Sequence, residues 1–326
     1  MKCIRMTAVS FPTILVSLLV LNPMRVMGEP SDRVYWASWD TDTIYRTRLD
    51  GSQNQELITG QNDPSGITID EQNGKIYWAD RLSAQIKRAD LDGSDEEVVA
   101  HVNPNAEFPV VEDVAVDPKT NTVYATYNAV INQFMDTAGR VCRMDTDGSG
   151  RQDIITLQDH NVGGLAVAPE AKKLYWYDGE IERADTDGTN QQTLYSNVNS
   201  LNGLTIDPDS NALYWTRGGG YQTIETGGTD GNGRTTLVTD VQSQHDSLDA
   251  PWAIAVNPDD GMMYWTDIDT SRDPFGLYHA EMDGENPQYL RYAYDAYGVA
   301  VGPVPEPITG ILLALGVIGL LVRRNP

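Results

Sequence analysis

The sequence predicts an all-β protein, a six-bladed β-propeller of four-stranded blades. Three observations carry this. Tyr-Trp recurs at Tyr35-Trp36, Tyr77-Trp78, Tyr175-Trp176, Tyr214-Trp215 and Tyr264-Trp265, and Tyr124-Ala125 fills the remaining slot. The six starts lie 42, 47, 51, 39 and 50 residues apart, a period that marks a repeat architecture. Each pair precedes a strand ending in Asp-Gly, with a fourth short strand behind it, and every pair after the first follows an alternating apolar strand. The third observation is an offset. The pair at Tyr35 has no apolar strand before it, and the missing strand stands at the other end as Gly298-Val299-Ala300-Val301-Gly302-Pro303. The ring is therefore expected to close by the C-terminal strand pairing with the N-terminal blade at 34–59, which removes an open sheet edge.

In chain order, residues 1–28 read as a secretory signal peptide. Lys2 and Arg5 form the charged start, Phe11 to Leu21 the apolar core, and Val26-Met27-Gly28 permits cleavage before Glu29. The propeller is expected over 31–303. Its inner strands begin at Gly66, Asp113, Gly164, Gly203 and Ala253 and end in Asp or Pro turns. The third strands end in Asp-Gly at 50–51, 92–93, 147–148, 187–188, 230–231 and 283–284, a hairpin signal because Gly supplies positive φ. Arg46, Arg88, Arg143 and Arg183 recur in these third strands. A recurring residue suits packing better than a site, so they are expected to pair between blades with carboxylates of the Tyr-Trp strands.

Charge narrows the function. The formal net charge is −24. Lys2, Arg5, Arg25, Arg323 and Arg324 lie at the ends, so the rest of the chain sets 18 Lys and Arg against 47 Asp and Glu. Such a field repels phosphate backbones and excludes nucleic acid as a partner. Cys3 falls in the export segment, leaving Cys142 without a disulfide partner. Cys142 sits at a repeat position held elsewhere by Tyr45, Lys87 and Glu182, so it reads as a strand residue.

The repeats resemble the YWTD propeller, the class B repeat of the low-density lipoprotein receptor family. Tyr264-Trp265-Thr266-Asp267 matches in full. Tyr77-Trp78-Ala79-Asp80 and Tyr175-Trp176-Tyr177-Asp178 keep the aromatics and the Asp, whereas Tyr214-Trp215-Thr216-Arg217 replaces the Asp. Tyr35-Trp36-Ala37-Ser38 and Tyr124-Ala125-Thr126-Tyr127 depart further. The resemblance implies an architectural motif, with Trp36, Trp78, Trp176, Trp215 and Trp265 filling wedges between sheets and Asp80, Asp178 and Asp267 supporting them.

After Gly302-Pro303 comes Val304-Pro305-Glu306-Pro307, then the apolar run Ile308 to Val322, then Arg323-Arg324. Basic residues directly after the run suit a cytoplasmic end of a short transmembrane helix at 308–322, with the propeller outside. The order of Pro305, Glu306, Pro307, helix, Arg323 and Arg324 over 304–326 resembles the PEP-CTERM sorting signal of bacterial envelope proteins. That implies export, initial anchoring in the membrane by the helix, an exosortase as processing partner, and delivery to the cell surface or extracellular matrix.

The binding surface is expected on the face that carries the loops entering the inner strands and those joining second to third strands. Long links cluster there, at 101–112, 127–139 and 240–252. Ser65, Glu112, Gly163, Asn202, Trp252 and Tyr297 should ring the channel mouth, and they differ from blade to blade. With His160 they form the candidate set, and Asp63, Phe108, Tyr177, Arg217 and His245 lie near in sequence. The plainer alternative is that these are loop ends. No G-x-S-x-G, HExxH or paired CxxC occurs. Two weaker metal signals stand beside this. Asp145-Thr146-Asp147-Gly148-Ser149-Gly150 copies the first half of a calcium loop, but Thr156 replaces the bidentate Glu at position 12. Glu112 and Asn202-Gly203 resemble the divalent-cation site of six-bladed lactonases, without a second Asn or an acid-base pair. The expectation is a non-enzymatic binding module for an extracellular protein or polysaccharide, needing no cofactor. A metal-dependent lactonase or esterase is the alternative.

Overall fold

The computed structural model describes residues 32–303, apart from 103–106, 131–136, 159, 240–250, 268–275 and 294 and the side chains of residues 107, 108, 130 and 137. The signal peptide expected at 1–28, the sorting segment 304–326 with its helix at 308–322, the side chain of Phe108 and all of His245 lie outside the described residues.

The described residues form 24 strands, β1 to β24, in six antiparallel four-stranded sheets. Blade 1 holds β1 (Asp32–Ser38), β2 (Thr43–Arg48) and β3 (Gln55–Thr59), with β24 (Ala296–Pro303) as its inner strand. The closing register sets Tyr35 against Ala300 and Val34 against Val301. Blades 2 to 6 follow in sequence. Their inner strands are β4 (Pro64–Asp70), β8 (Glu107–Asp117), β12 (Leu165–Ala168), β16 (Leu201–Asp207) and β20 (Pro251–Asn257). Each adjoins the next around the ring, and β24 adjoins both β20 and β4.

The Tyr-Trp pair explains how blades adhere. Neighbouring residues on a strand point to opposite faces. The Tyr and the Trp of one pair therefore enter different wedges. Tyr35 packs with Trp78, Tyr124 with Trp176, Tyr175 with Trp215, Tyr214 with Trp265, and Tyr264 with Trp36. In each wedge a Tyr of one blade meets a Trp of the next. The sixth wedge sets Tyr77 against Ala125, and Tyr127, only 1 % exposed, fills the vacated volume. Tyr127 lies two residues after Ala125 and so shares its face. Cys142 stands opposite Ala125 in the same cluster, and burial pushes its thiol up to about 12, so it stays protonated. Burying each large aromatic stabilises the ring by roughly 1.5–3 kcal/mol.

A second lock sits at the Asp-Gly turns. Asp50, Asp92, Asp147, Asp187, Asp230 and Asp283 each accept the backbone N–H two residues on, at 2.9–3.0 Å. Gly93 has φ +87, and a Cβ there would stand 2.6 Å from the Leu57 carbonyl of the preceding blade. The third-strand arginines cross the same seam. Arg46 donates to the Leu91 carbonyl at 2.8 Å, Arg88 to Thr146 at 2.6 Å, and Arg183 to Thr229. The inter-blade contact is present, but its acceptor is a turn carbonyl and not the expected motif carboxylate. Register gives the reason. Arg46 and Arg88 stand opposite Tyr35 and Tyr77 and share the tyrosine face. The motif Asp, two residues after Trp, lies on the other face: Asp80 takes Lys87 at 2.7 Å, and Asp178 takes the Trp176 indole N–H at 3.3 Å.

Blade 3 is taller than the rest. β8, β9 (Thr122–Val130) and β10 (Thr137–Asp145) run 11, 9 and 9 residues. Much of the sequence expected as long links at 101–112 and 127–139 is thus strand. Val111, Tyr127, Ala129 and Ala138 are all buried, so an apolar face continues past the point where other blades turn.

Candidate functional site

The six inner strands surround a central channel of about 750 Å³. Ser65, Glu112, Gly163, Asn202, Trp252 and Tyr297 all line it, at the loop-bearing end. A shared local device places most of them. The strand register slips between Pro64 and Ile67, Val111 and Asp113, Leu201 and Leu204, and Pro251 and Ile254. It slips again between Ala296 and Gly298 where β24 meets β1. Ser65, Glu112, Asn202, Trp252 and Tyr297 fall inside these irregularities, which re-aim side chains at strand ends.

Blades 2 and 3 contribute a charged arc. Arg81 binds Asp63 Oδ2 at 3.0 Å and Glu112 Oε2 at 3.4 Å. Burial weakens the guanidinium's hold on its proton, but the carboxylates of Glu112 and Asp63 outweigh it and leave Arg81 more firmly charged than usual. Asp63 is held at φ 61, with its N–H on the Asp42 carboxylate at 3.1 Å. The other oxygen of Glu112 accepts from Asn128 Nδ2 at 3.0 Å. Asn128 is itself pinned, donating to Val162 O at 3.0 Å and accepting from Val162 N at 2.8 Å. The arc is rigid because each member is fixed from behind.

Blades 6 and 1 contribute an aromatic arc. The Trp252 and Tyr297 rings lie 4.6 Å apart at 60°, and Trp39 meets Tyr297 edge-on at 5.7 Å. Trp39 is 42 % exposed. Burial, then the charges of Asp295 and Asp63, raise the Tyr297 phenol, so its hydroxyl remains a donor at neutral pH.

Beneath Glu112 lies Asp113, which the sequence reading passed over. The equivalent residues are Gly66, Gly164, Gly203, Ala253 and Gly298, so a single acid among small residues was the available signal. Its carboxylate accepts from Leu165 N of the next blade and from its own Val114 N, both at 2.8 Å. Desolvation deep in the channel dominates these bonds and raises the carboxyl to about 7. Gly66 leaves room for it, since a Cβ there would collide with the Asp113 carboxylate.

The remaining candidates divide. Ser65 is buried and donates to Glu112 O at 3.1 Å. Asn202 Nδ2 donates to Pro251 O at 2.9 Å, tying blade 5 to blade 6. Asp63 and Tyr177 line the channel. His160 is exposed, with Nδ1 3.1 Å from Asp178 O, and does not line it. Arg217 is buried within blade 5 against Glu225, away from the mouth.

The two candidate cation sites do not fit a divalent ion. Glu112 already faces the Arg81 guanidinium, so an added dication would meet a fixed positive charge. Asp147 caps its hairpin turn as the other five turn aspartates do, and Asp145 Oδ2 takes the Ser149 hydroxyl at 3.1 Å. Among the described residues no group of three or more His, Cys, Asp and Glu is placed to hold a metal.

Comparison with known proteins adds the following. A chain of the nidogen–laminin complex superposes with a TM-score of 0.67 at 21% identity, over 83% of this chain and 98% of that one. TolB from Acinetobacter baumannii gives 0.61 at 14% identity, over 83% of this chain and 66% of that one. A gluconolactonase from Xanthomonas campestris gives 0.53 at 17% identity, over 73% and 83%. At these identities the likeness is one of fold. No curated protein matches the sequence. Residues 303–325 match the PEP-CTERM protein-sorting motif. The chain is therefore a six-bladed β-propeller that carries a PEP-CTERM sorting motif, the mark of an exported, exosortase-sorted protein of the cell envelope.

Proposed function

We propose that the protein is a non-enzymatic binding module, presented outside the cell, whose ligand seats on the channel mouth. The observation that carries this is the contrast between wedge and mouth. The wedges repeat the same Tyr and Trp contacts around the ring, whereas the bulged residues at the mouth differ in every blade. A rigid charged arc and a partly exposed aromatic arc on one rim are what selective binding needs. In this reading residues 1–28 direct export. The segment 308–322 anchors the chain until an exosortase acts near Pro305-Glu306-Pro307.

The hydrolase alternative is less well supported, because Arg81 stands where a lactonase-type cation would need Glu112 free. The test compares wild type with a Glu112→Gln/Trp252→Ala variant in capture of soluble and polymeric material from the envelope of the source bacterium. Material captured by wild type and lost by a variant of unchanged melting temperature supports the reading. Equal capture by both would overturn it.

A further inference from the structure

The geometry points to an uncharged saccharide as the ligand of the mouth, a short chain or a chain end seated between the two arcs; this rests on the binding-module reading. Blades 6 and 3 stand opposite each other in a six-membered ring, so Trp252 and Glu112 face one another across the opening. On one side Trp252, Tyr297 and Trp39 form a corner of rings inclined at 60° and 83°. The faces of such rings are electron-rich and take the C–H-bearing face of a pyranose. On the other side Arg81, Asp63, Glu112 and Asn128 present planar groups in which donors and acceptors alternate. Sugar hydroxyls each donate and accept, so a vicinal pair can bridge a carboxylate and a guanidinium or amide.

Charge separates a sugar from other ligands. Arg81 bridges both carboxylates of the arc and offsets one of their two charges, which leaves only a single net negative charge to attract a basic peptide. The chain's net charge of −24 opposes uronates, sulfated glycans and phosphate. A channel of about 750 Å³ lies in the ordinary range for small ligands, which favours a few sugar rings over a flat polymer face.

The test uses the full-length protein in detergent, with calorimetry and tryptophan emission as readouts. The probes are neutral hexasaccharides of glucose, mannose, galactose and N-acetylglucosamine, and oligogalacturonate as the charged control. The expected result is saturable binding of at least one neutral probe with an emission shift, and no binding of oligogalacturonate. Trp252→Ala and Tyr297→Phe/Trp39→Ala should each weaken that binding at least tenfold at unchanged melting temperature. No neutral probe binding at millimolar concentration, or binding indifferent to Trp252→Ala, would overturn the proposal. If the sugars fail while envelope capture still depends on Glu112 and Trp252, the saccharide falls and the binding module stands. If both fail, both readings fall.

Discussion

Arg217 donates to Glu225 at 3.0 Å inside blade 5, with both side chains at most 7 % exposed. In blade 2 the same two positions hold Asp80 and Lys87, 2.7 Å apart, with the signs exchanged. The motif aspartate is thus replaced in blade 5 by its counter-ion, and the partner strand supplies the acid. Glu225 also takes Arg234 at 2.9 Å and the Trp215 indole N–H at 3.1 Å, while Arg217 stacks on Tyr221 at 3.7 Å. Removing one partner of a buried pair costs about 3–5 kcal/mol where the other charge is left alone, and here Arg234 still answers Glu225, so the low end, about 3 kcal/mol, is expected. Arg217→Ala should lose that much in urea unfolding. Arg234→Ala, at a more exposed site, should lose about 1 kcal/mol. Equal losses would contradict the pairing described.

Two carboxyls give opposite pH signatures. Burial acts against the Glu225 carboxylate, but its bonds to Arg217 and Arg234 outweigh this and hold it below the ordinary value. Its contribution is present above the usual glutamate range and is lost as pH falls through the depressed value. Asp113 runs the other way. Its carboxyl is raised from 3.8 to about 7, so the native state binds a proton that the unfolded chain releases. Its contribution is full below about 4 and is lost as pH rises through about 7. Wild type should therefore lose stability between pH 5 and pH 8 relative to Asp113→Asn, measured as the difference in urea midpoints. A flat difference would show that desolvation does not govern this group.

The sixth wedge is the next test. Tyr127 replaces the absent Trp, and its hydroxyl donates to Asp153 at 2.9 Å while accepting from Arg151 at 3.1 Å. Tyr127→Ala should cost about 3–5 kcal/mol through the cavity it leaves. Tyr127→Phe keeps the ring and should cost about 1 kcal/mol for the lost hydrogen bonds. A small effect of the alanine change would mean that the wedge collapses around the gap.

The turn seam supplies two more expectations. Arg183→Ala removes a bond from blade 4 to the Thr229 carbonyl of blade 5 and should lower the melting temperature, by an amount equivalent to about 1–2 kcal/mol. Chelation should leave the melting temperature of wild type unchanged, because the Asp145–Gly150 segment is closed by its own hydrogen bonds. A drop on chelation that Asp147→Asn abolishes would restore calcium to that turn.

Much of the fold was legible because its determinants are local. The strand period, the Asp-Gly turns and the one-strand offset each act within a few residues, and together they prescribe the ring. Bulged residues at the mouth were also legible, since they break the repeat where each inner strand starts. What escaped depends on register and neighbours. The Arg46 acceptor follows from which face the residue shares with Tyr35, and no spacing within one blade reveals the carbonyl of the next. Tyr127 looked like a departure from the motif because its role is to fill a volume left by Ala125. Asp113 was hidden by its neighbour Glu112, and its importance lies in burial, which composition does not show. Arg81 was missed because it sits in a hairpin loop, and only the fold brings it between Asp63 and Glu112.

The pairing of β24 with β1 also sets a timetable. Tyr35 waits for Ala300, some 265 residues later in synthesis, before its strand gains an inner neighbour. Contacts this distant in sequence slow folding and leave an unsatisfied strand edge open meanwhile. The last paired residue, Pro303, directly precedes the segment that carries Pro305-Glu306-Pro307. A cut within that segment spares every rung of the closing strand, whereas a chain broken a few residues earlier loses the clasp. Release from the sorting tail and retention of an intact ring are therefore compatible by a margin of one residue, Val304, between Pro303 and Pro305 at the narrowest.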